Sequence, residues 1–170
     1  TRQNNGAVQE LILGQDIKQL LQAKSDSSGS TLFMILLSAV NALLYRYTGQ
    51  QDLITGTAVA GRDHVDLEDQ IGLYVNTLAL RTQLEGSWSF DKLLSAVKEI
   101  TLGAFEHQQY PFDLLVDELL VERDMSRMPI FDVMVTLQNI ELSGNGSAEE
   151  LDSISVSEYH IMPTIAKFDL

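Results

Sequence analysis

Apolar positions along this chain change their period several times, and each change marks an element. "AVQELIL" (7–13) alternates loosely and predicts a short strand. "GQDIKQLLQAKSDS" then places Ile17, Leu20 and Leu21 on one helical face, with Gly14 and Asp16 at its start. The polar stretch "SDSSGS" is rich in turn formers and predicts a loop. Ser30 or Thr31 can cap the next helix, because a hydroxyl oxygen accepts a bond from a free N–H of the first turn. That helix, residues 31–48, is apolar on nearly all sides, which predicts deep burial. Gly49 is placed to end it in a left-handed conformation.

"DLITGTAVAG" (52–61) is β-branched and glycine-dotted. It predicts a central strand whose glycines mark close approach of another backbone or a ligand. After the charged loop "RDHVDLEDQ", "IGLYVNTLALRTQL" (71–84) predicts a second strand. Leu73, Val75, Thr77 and Ala79 face one way, and Tyr74, Asn76, Leu78 and Leu80 the other. "SFDKLLSAVKEITLGAFEHQ" (89–108) has the helical repeat in Phe90, Leu93, Leu94, Val97, Ile100, Ala104 and Phe105. Pro111 cannot continue that helix, but suits the first turn of a new one, "PFDLLVDELL". "VERDMSRMP" reads as a connector and "IFDVMVTLQNI" (130–140) as a third strand. The loop "LSGNGSAEELDS" and two further strands, "ISVSEYHIM" and "AKFDL", complete the pattern. Helices alternating with strands predict an α/β fold, a mixed sheet packed with helices.

At 170 residues the chain fits one domain, or one lobe of a larger one. Its 24 acidic against 11 basic residues give a net charge of −13. Phosphate backbones and anionic lipid surfaces repel such a chain, so nucleic acid and membrane are excluded as expected partners. The most apolar run, Thr31 to Tyr47, falls short of the roughly 20 residues that cross a bilayer, and Asn41 and Arg46 interrupt it. The absence of cysteine excludes disulfides and thiolate metal sites, and suits a cytoplasmic location. The chain opens on Thr1 and stops inside an apparent strand, from which an excised piece is expected.

Catalytic patterns are sparse. "GTAVAG" has neither the spacing nor the lysine of a phosphate-binding loop, and no serine sits in a G-x-S-x-G elbow. His64, His107 and His160 are far apart and form no metal-ligand pair. His107 stands at the end of an amphipathic helix, where the helix dipole favours a protonated imidazole. There it can satisfy carbonyls that the Pro111 break leaves unpaired. No orienting base or nucleophile lies near it in sequence, which favours packing over proton transfer.

Three stretches, "IGLYVNTLALR", "HQQYPFDLLVDEL" and "RDMSRMPIFDVMVTLQN", occur in this order. They resemble three consecutive motifs of condensation domains from non-ribosomal peptide synthetases. "TLFMILLSAVNALLYRYTGQQDLITGTAVAGRD" resembles the lead-in to the first. The resemblance runs from Ala7 to Asn139 and implies a fold similar to chloramphenicol acetyltransferase, two lobes around a tunnel. Residues 1–170 are then expected to form most of the C-terminal lobe as a single domain, starting near the lobe junction and lacking the lobe's end. "VNTL" and "HQQYPFD" fit condensation better than the related epimerisation or cyclisation domains.

The implied reaction is attack of one carrier-bound aminoacyl amine on another carrier-bound thioester. No cofactor is expected to bind directly, since substrates arrive on phosphopantetheine arms. The implied partners are the N-terminal lobe and the peptidyl carrier domains. The family's HHxxxDG motif belongs to the other lobe, and no His-His pair occurs here. No catalytic residue is therefore expected in this chain. Gly72, Tyr74 and Asn76 become candidates for the tunnel wall. An amide can both donate and accept, so Asn76 either orients a thioester substrate or satisfies the sheet. Arg62 is expected to pair with acidic neighbours in its loop. His107, Gln108, Pro111, Phe112, Arg123, Asp124 and Arg127 are expected to be structural. The alternative is a non-catalytic module of the same fold that docks carriers or other partners.

Overall fold

The computed structural model describes residues 6–62, 64–67, 70–119, 128–138, 165–166 and 168. In chain order the elements are α1 (Gln15–Ser28), α2 (Leu32–Thr48), β1 (Asp52–Val59), a 3-10 turn (Val65–Leu67), β2 (Asn76–Gln83), α3 (Phe90–Glu106), α4 (Phe112–Glu118) and β3 (Val133–Met134).

The strands form a mixed sheet in the order β2-β1-β3. β1 and β2 are antiparallel, from Asp52↔Gln83 to Val59↔Asn76, and β3 runs parallel to β1 at Thr55↔Val133 and Gly56↔Met134. In an antiparallel pair opposed residues share a face, so Leu53, Thr55 and Thr57 lie with Thr82, Leu80 and Leu78. α2 and α3 cover that face, burying Leu37, Leu80, Leu94 and Val97 in one core. Each leucine taken fully out of water contributes about 1.5–3 kcal/mol. Inside this core Asn41 donates to Thr82 Oγ1 at 3.1 Å, so one polar pair fixes how α2 sits along β2.

Helix ends follow their local chemistry. Thr31 caps α2 by accepting from Met34 N–H at 3.3 Å, and Ser89 caps α3 by accepting from Lys92 N–H at 3.3 Å. Gly49 ends α2 at φ 71°, a conformation that costs most other residues about 1 kcal/mol or more.

The structure departs from the sequence pattern where an element needs a neighbour. Residues 7–14 are exposed and form no strand, because no ladder partner covers their apolar side chains among the described residues. α1 buries no residue, and only Leu21 of its expected apolar face packs against the core. α2 buries Met34, Ile35, Leu37, Ser38 and Asn41, but Leu43 and Tyr47 are exposed, so it is covered on one side rather than all round. β2 begins at Asn76 rather than near residue 71, because its partner β1 ends at Val59. The third strand shrinks to two residues. Ile130 has φ 75° and Phe131 N–H bonds back to Pro129 O at 3.0 Å, a tight turn that no strand can contain. The strand expected at 154–162 lies outside the described residues.

Candidate functional site

Asn76, the first residue of β2, reaches across to the break between α3 and α4. Its Nδ2 donates to the carbonyls of Gln108 and Tyr110, both at 2.8 Å, and its Oδ1 accepts from Phe112 N–H at 3.2 Å. A helix end followed by a proline leaves these groups over: carbonyls with no N–H ahead of them, then an N–H with no carbonyl behind. A carboxamide serves both kinds at once, whereas a carboxylate lacks the donors and an ammonium the acceptor. Both amide protons of Asn76 are therefore engaged, and one lone pair of its oxygen remains for a ligand.

This places on Asn76 the task that the sequence pattern offered to His107. His107 caps α3 through its backbone, its N–H donating to the Ala104 and Phe105 carbonyls and its own carbonyl accepting from Tyr110 N–H at 3.0 Å. Its side chain is exposed, and among the described residues the imidazole makes no hydrogen bond. The connector is also tied to α4. The Glu118 carboxylate accepts a hydrogen bond from the Tyr110 hydroxyl, which raises the phenol's pKa above its ordinary value, with smaller contributions from burial and the carboxylate charge.

The loop from Gly61 to Val75 forms the opposing wall. Arg62 donates from Nη1 to the carbonyls of Leu67 and, at 2.7 Å, Gln70, and from Nη2 to Gly72 O at 3.3 Å. Its guanidinium carbon lies 4.6 Å from the centroid of the Tyr74 ring. These carbonyl and ring contacts go beyond the acidic pairing expected for Arg62. Tyr74 in turn donates its hydroxyl to Gln70 Oε1 at 2.8 Å. Gly72 sits against the Tyr74 ring, where a Cβ would come within 2.8 Å of Cε2.

Between these walls lies an open cleft of about 430 Å³. Gly61, Leu67, Tyr74, Val75 and Asn76 line one side, and Gln108, Gln109 and Pro111 the other. The structure thus brings Tyr74, Asn76, Gln108 and Pro111 together, with Arg62 and Gly72 behind them. Phe112 turns away from the cleft, packing its ring 5.6 Å from that of Phe131. Phe131 lies over Gly56, where a Cβ would come within 2.2 Å of the ring. Three stretches separate in sequence therefore meet at one place. Arg123, Asp124 and Arg127 lie outside the described residues. Gly61, Leu67, Val75 and Gln109 were not singled out from sequence as lining residues; only the glycine carried a signal, as a mark of close approach.

Among the described residues the lining holds no carboxylate, imidazole or ammonium. Nor do three His, Asp or Glu side chains there gather to hold a metal. Such a surface can bind and orient amides but offers no group to move a proton at neutral pH.

The sequence matches the Condensation domain family over residues 2–170. It is 45% identical to tyrocidine synthase 3 of Brevibacillus parabrevis over 157 residues, 92% of this chain and 2% of that protein. The chain thus spans a small part of the relatives it matches. Its fold matches that of a four-domain nonribosomal peptide synthetase bound to AMP and glycine, with TM-score 0.73 at 23% identity over 75% of this chain and 10% of the other. It also matches the condensation domain of the Monacolin K polyketide synthase, with TM-score 0.67 at 26% identity over 72% and 29% of the two chains. The mixed sheet and its helices are those of this chloramphenicol acetyltransferase-like fold, and the chain belongs to the condensation domain family.

Proposed function

We propose that this chain is most of the C-terminal lobe of a condensation domain in a cytoplasmic nonribosomal peptide synthetase, and that the Asn76 cleft is part of its substrate tunnel. The observation that carries this reading is the family match over residues 2–170, with the first two motif stretches and the end of the lead-in meeting at that cleft. In the reaction the acceptor amine attacks the donor thioester carbonyl. The C–N bond forms, the C–S bond breaks, the donor arm leaves as a thiol, and the amine sheds a proton. A positioned base contributes about 10²–10⁴-fold to such a step. Among the described residues the cleft's lining has none, which supports assigning proton handling to the paired histidines of the N-terminal lobe.

What this lobe contributes is orientation. A phosphopantetheine arm carries two amide groups; the Asn76 carboxamide oxygen can accept from an amide N–H, and the Gln108 carboxamide can both donate and accept. Holding the reacting groups in line is itself worth several kcal/mol of barrier, about 7–11 in the best cases. The partners are then the N-terminal lobe and peptidyl carrier domains, with no cofactor bound directly by this chain. No single described helix is long and apolar enough to cross a membrane.

The test is peptide formation between two loaded carriers, followed by mass spectrometry of the released product. The parent domain should form the peptide bond and this chain alone should not. Turnover by the chain alone, or none by the parent, refutes the proposal; the latter outcome favours a docking module.

A further inference from the structure

Ile130 takes φ 75°, a conformation that a β-branched side chain rarely adopts because its Cβ crowds the backbone. Such an outlier persists only where its surroundings hold it, and here they hold the residue that follows. Phe131 N–H turns back to Pro129 O at 3.0 Å, and the chain then runs parallel to β1 at Thr55 and Gly56. The turn lays the Phe131 ring across β1 at Gly56, where a Cβ would come within 2.2 Å of it. The ring is 3% exposed, tilted 57° against Phe112 and stacked with Phe168 at 6.0 Å. Phe112 directly follows Pro111 of the cleft wall, and its N–H donates to Asn76 Oδ1 at 3.2 Å. α4 itself is seven residues long and fully buries only Val116, so it has few other anchors.

We propose that Phe131 is a positioning residue, a wedge between β1 and α4. Through Phe112 it sets the Gln108–Pro111 wall of the cleft, and so how tightly the domain holds a pantetheine-type arm. The ligand class rests on the function proposed above. Phe131 itself does not line the cleft. Gly56 admits the wedge, and the turn at Ile130 aims it. A leucine fills part of the same space but lacks the face and edge that an aromatic pair requires.

The experiment uses the full parent domain carrying Phe131→Leu, with Gly56→Ala as a second variant that displaces the ring without removing it. Ile35→Val, in the core cluster that α2 and α3 form and to which Phe131 does not belong, controls for general loss of stability. Binding of a non-hydrolysable aminoacyl-pantetheine amide is measured by calorimetry, and amide exchange by mass spectrometry. Phe131→Leu should weaken binding by about two- to tenfold, the scale of one aromatic pair. Exchange across residues 108–112 should quicken by a similar factor while β2 keeps its wild-type rate. Gly56→Ala should move both readouts in the same direction, and Ile35→Val neither. Unchanged exchange at 108–112 in Phe131→Leu overturns the proposal. Faster exchange with unchanged binding overturns the positioning role, as does an equal loss of binding in Ile35→Val. A wild-type domain that does not bind the probe refutes the pantetheine reading of the cleft, and exchange at 108–112 then decides the role of Phe131 by itself.

Discussion

Removing the Asn76 carboxamide separates its structural use from any contact with substrate. Asn76→Ala in the parent domain frees the carbonyls of Gln108 and Tyr110 and the N–H of Phe112. The bonds to Gln108 and Phe112 are partly buried, whereas that to Tyr110 is exposed, where water replaces the amide. Two partly shielded bonds at about 0.5–1.5 kcal/mol each give a loss of about 1–3 kcal/mol. With a urea slope of about 2–3 kcal/mol/M, the midpoint falls by roughly 0.3–1.5 M. The Phe112 amide should exchange about tenfold faster or more. Peptide formation should slow as the wall moves, with the domain still folded.

Asn76→Asp sharpens the test through pH. The introduced carboxyl faces two carbonyl oxygens and can donate to one only when protonated, so its folded pKa lies above the unfolded value of about 3.9. A raised pKa gives stability that is present below the unfolded value and lost as pH rises through the folded one. The aspartate variant should therefore be less stable than the alanine variant at pH 7 and recover relative to it near pH 4. If Asn76→Ala leaves both the urea midpoint and the Phe112 exchange rate unchanged, the carboxamide is not the tie between β2 and the helix break, and the argument fails.

Gly56→Ala sets a Cβ against the Phe131 ring, which is 3% exposed and has little room to yield. A loss of about 1–3 kcal/mol in urea unfolding is expected, and Phe131→Leu in the same chain should recover part of it; simple additivity of the two would show that they do not touch. The Arg81 guanidinium, hydrogen-bonded to Asp52 at 2.6 and 2.9 Å, holds the Asp52 pKa below its ordinary 3.8. Its contribution is present above that value and lost as pH falls through the folded pKa. The stability difference between wild type and Asp52→Asn should thus shrink below about pH 4. High salt should shrink it too, since both groups are exposed; a difference independent of pH would refute the pairing.

Features set by neighbours in sequence were legible in the sequence. Thr31, Ser89 and Gly49 act on bonds within one turn of themselves, and their residue types announce this. The two glycines of the "DLITGTAVAG" stretch were also legible as places of close approach, though not what approaches: a phenylalanine ring at Gly56, a backbone carbonyl at Gly61. Periodicity states which faces need cover but not whether cover arrives. That is why α1 and the outer side of α2 are more exposed than their patterns imply.

The candidate site was legible as residue types and not as relations. Asn76 binds groups 32, 34 and 36 positions away, and all three belong to the backbone. No side chain at 108, 110 or 112 could have pointed back to it. The same holds for Arg62, whose partners include three carbonyls that any residues could supply. An acidic loop around an arginine suggested ion pairing because charges can be read from a sequence and carbonyl directions cannot. Both polar residues organise main chain at places where regular hydrogen bonding stops, the helix break and the irregular loop. The cleft lies between those two places, so its shape follows from where the secondary structure fails and from the two side chains that repair it. A substitution at Asn76 should therefore alter the cleft before it alters the core.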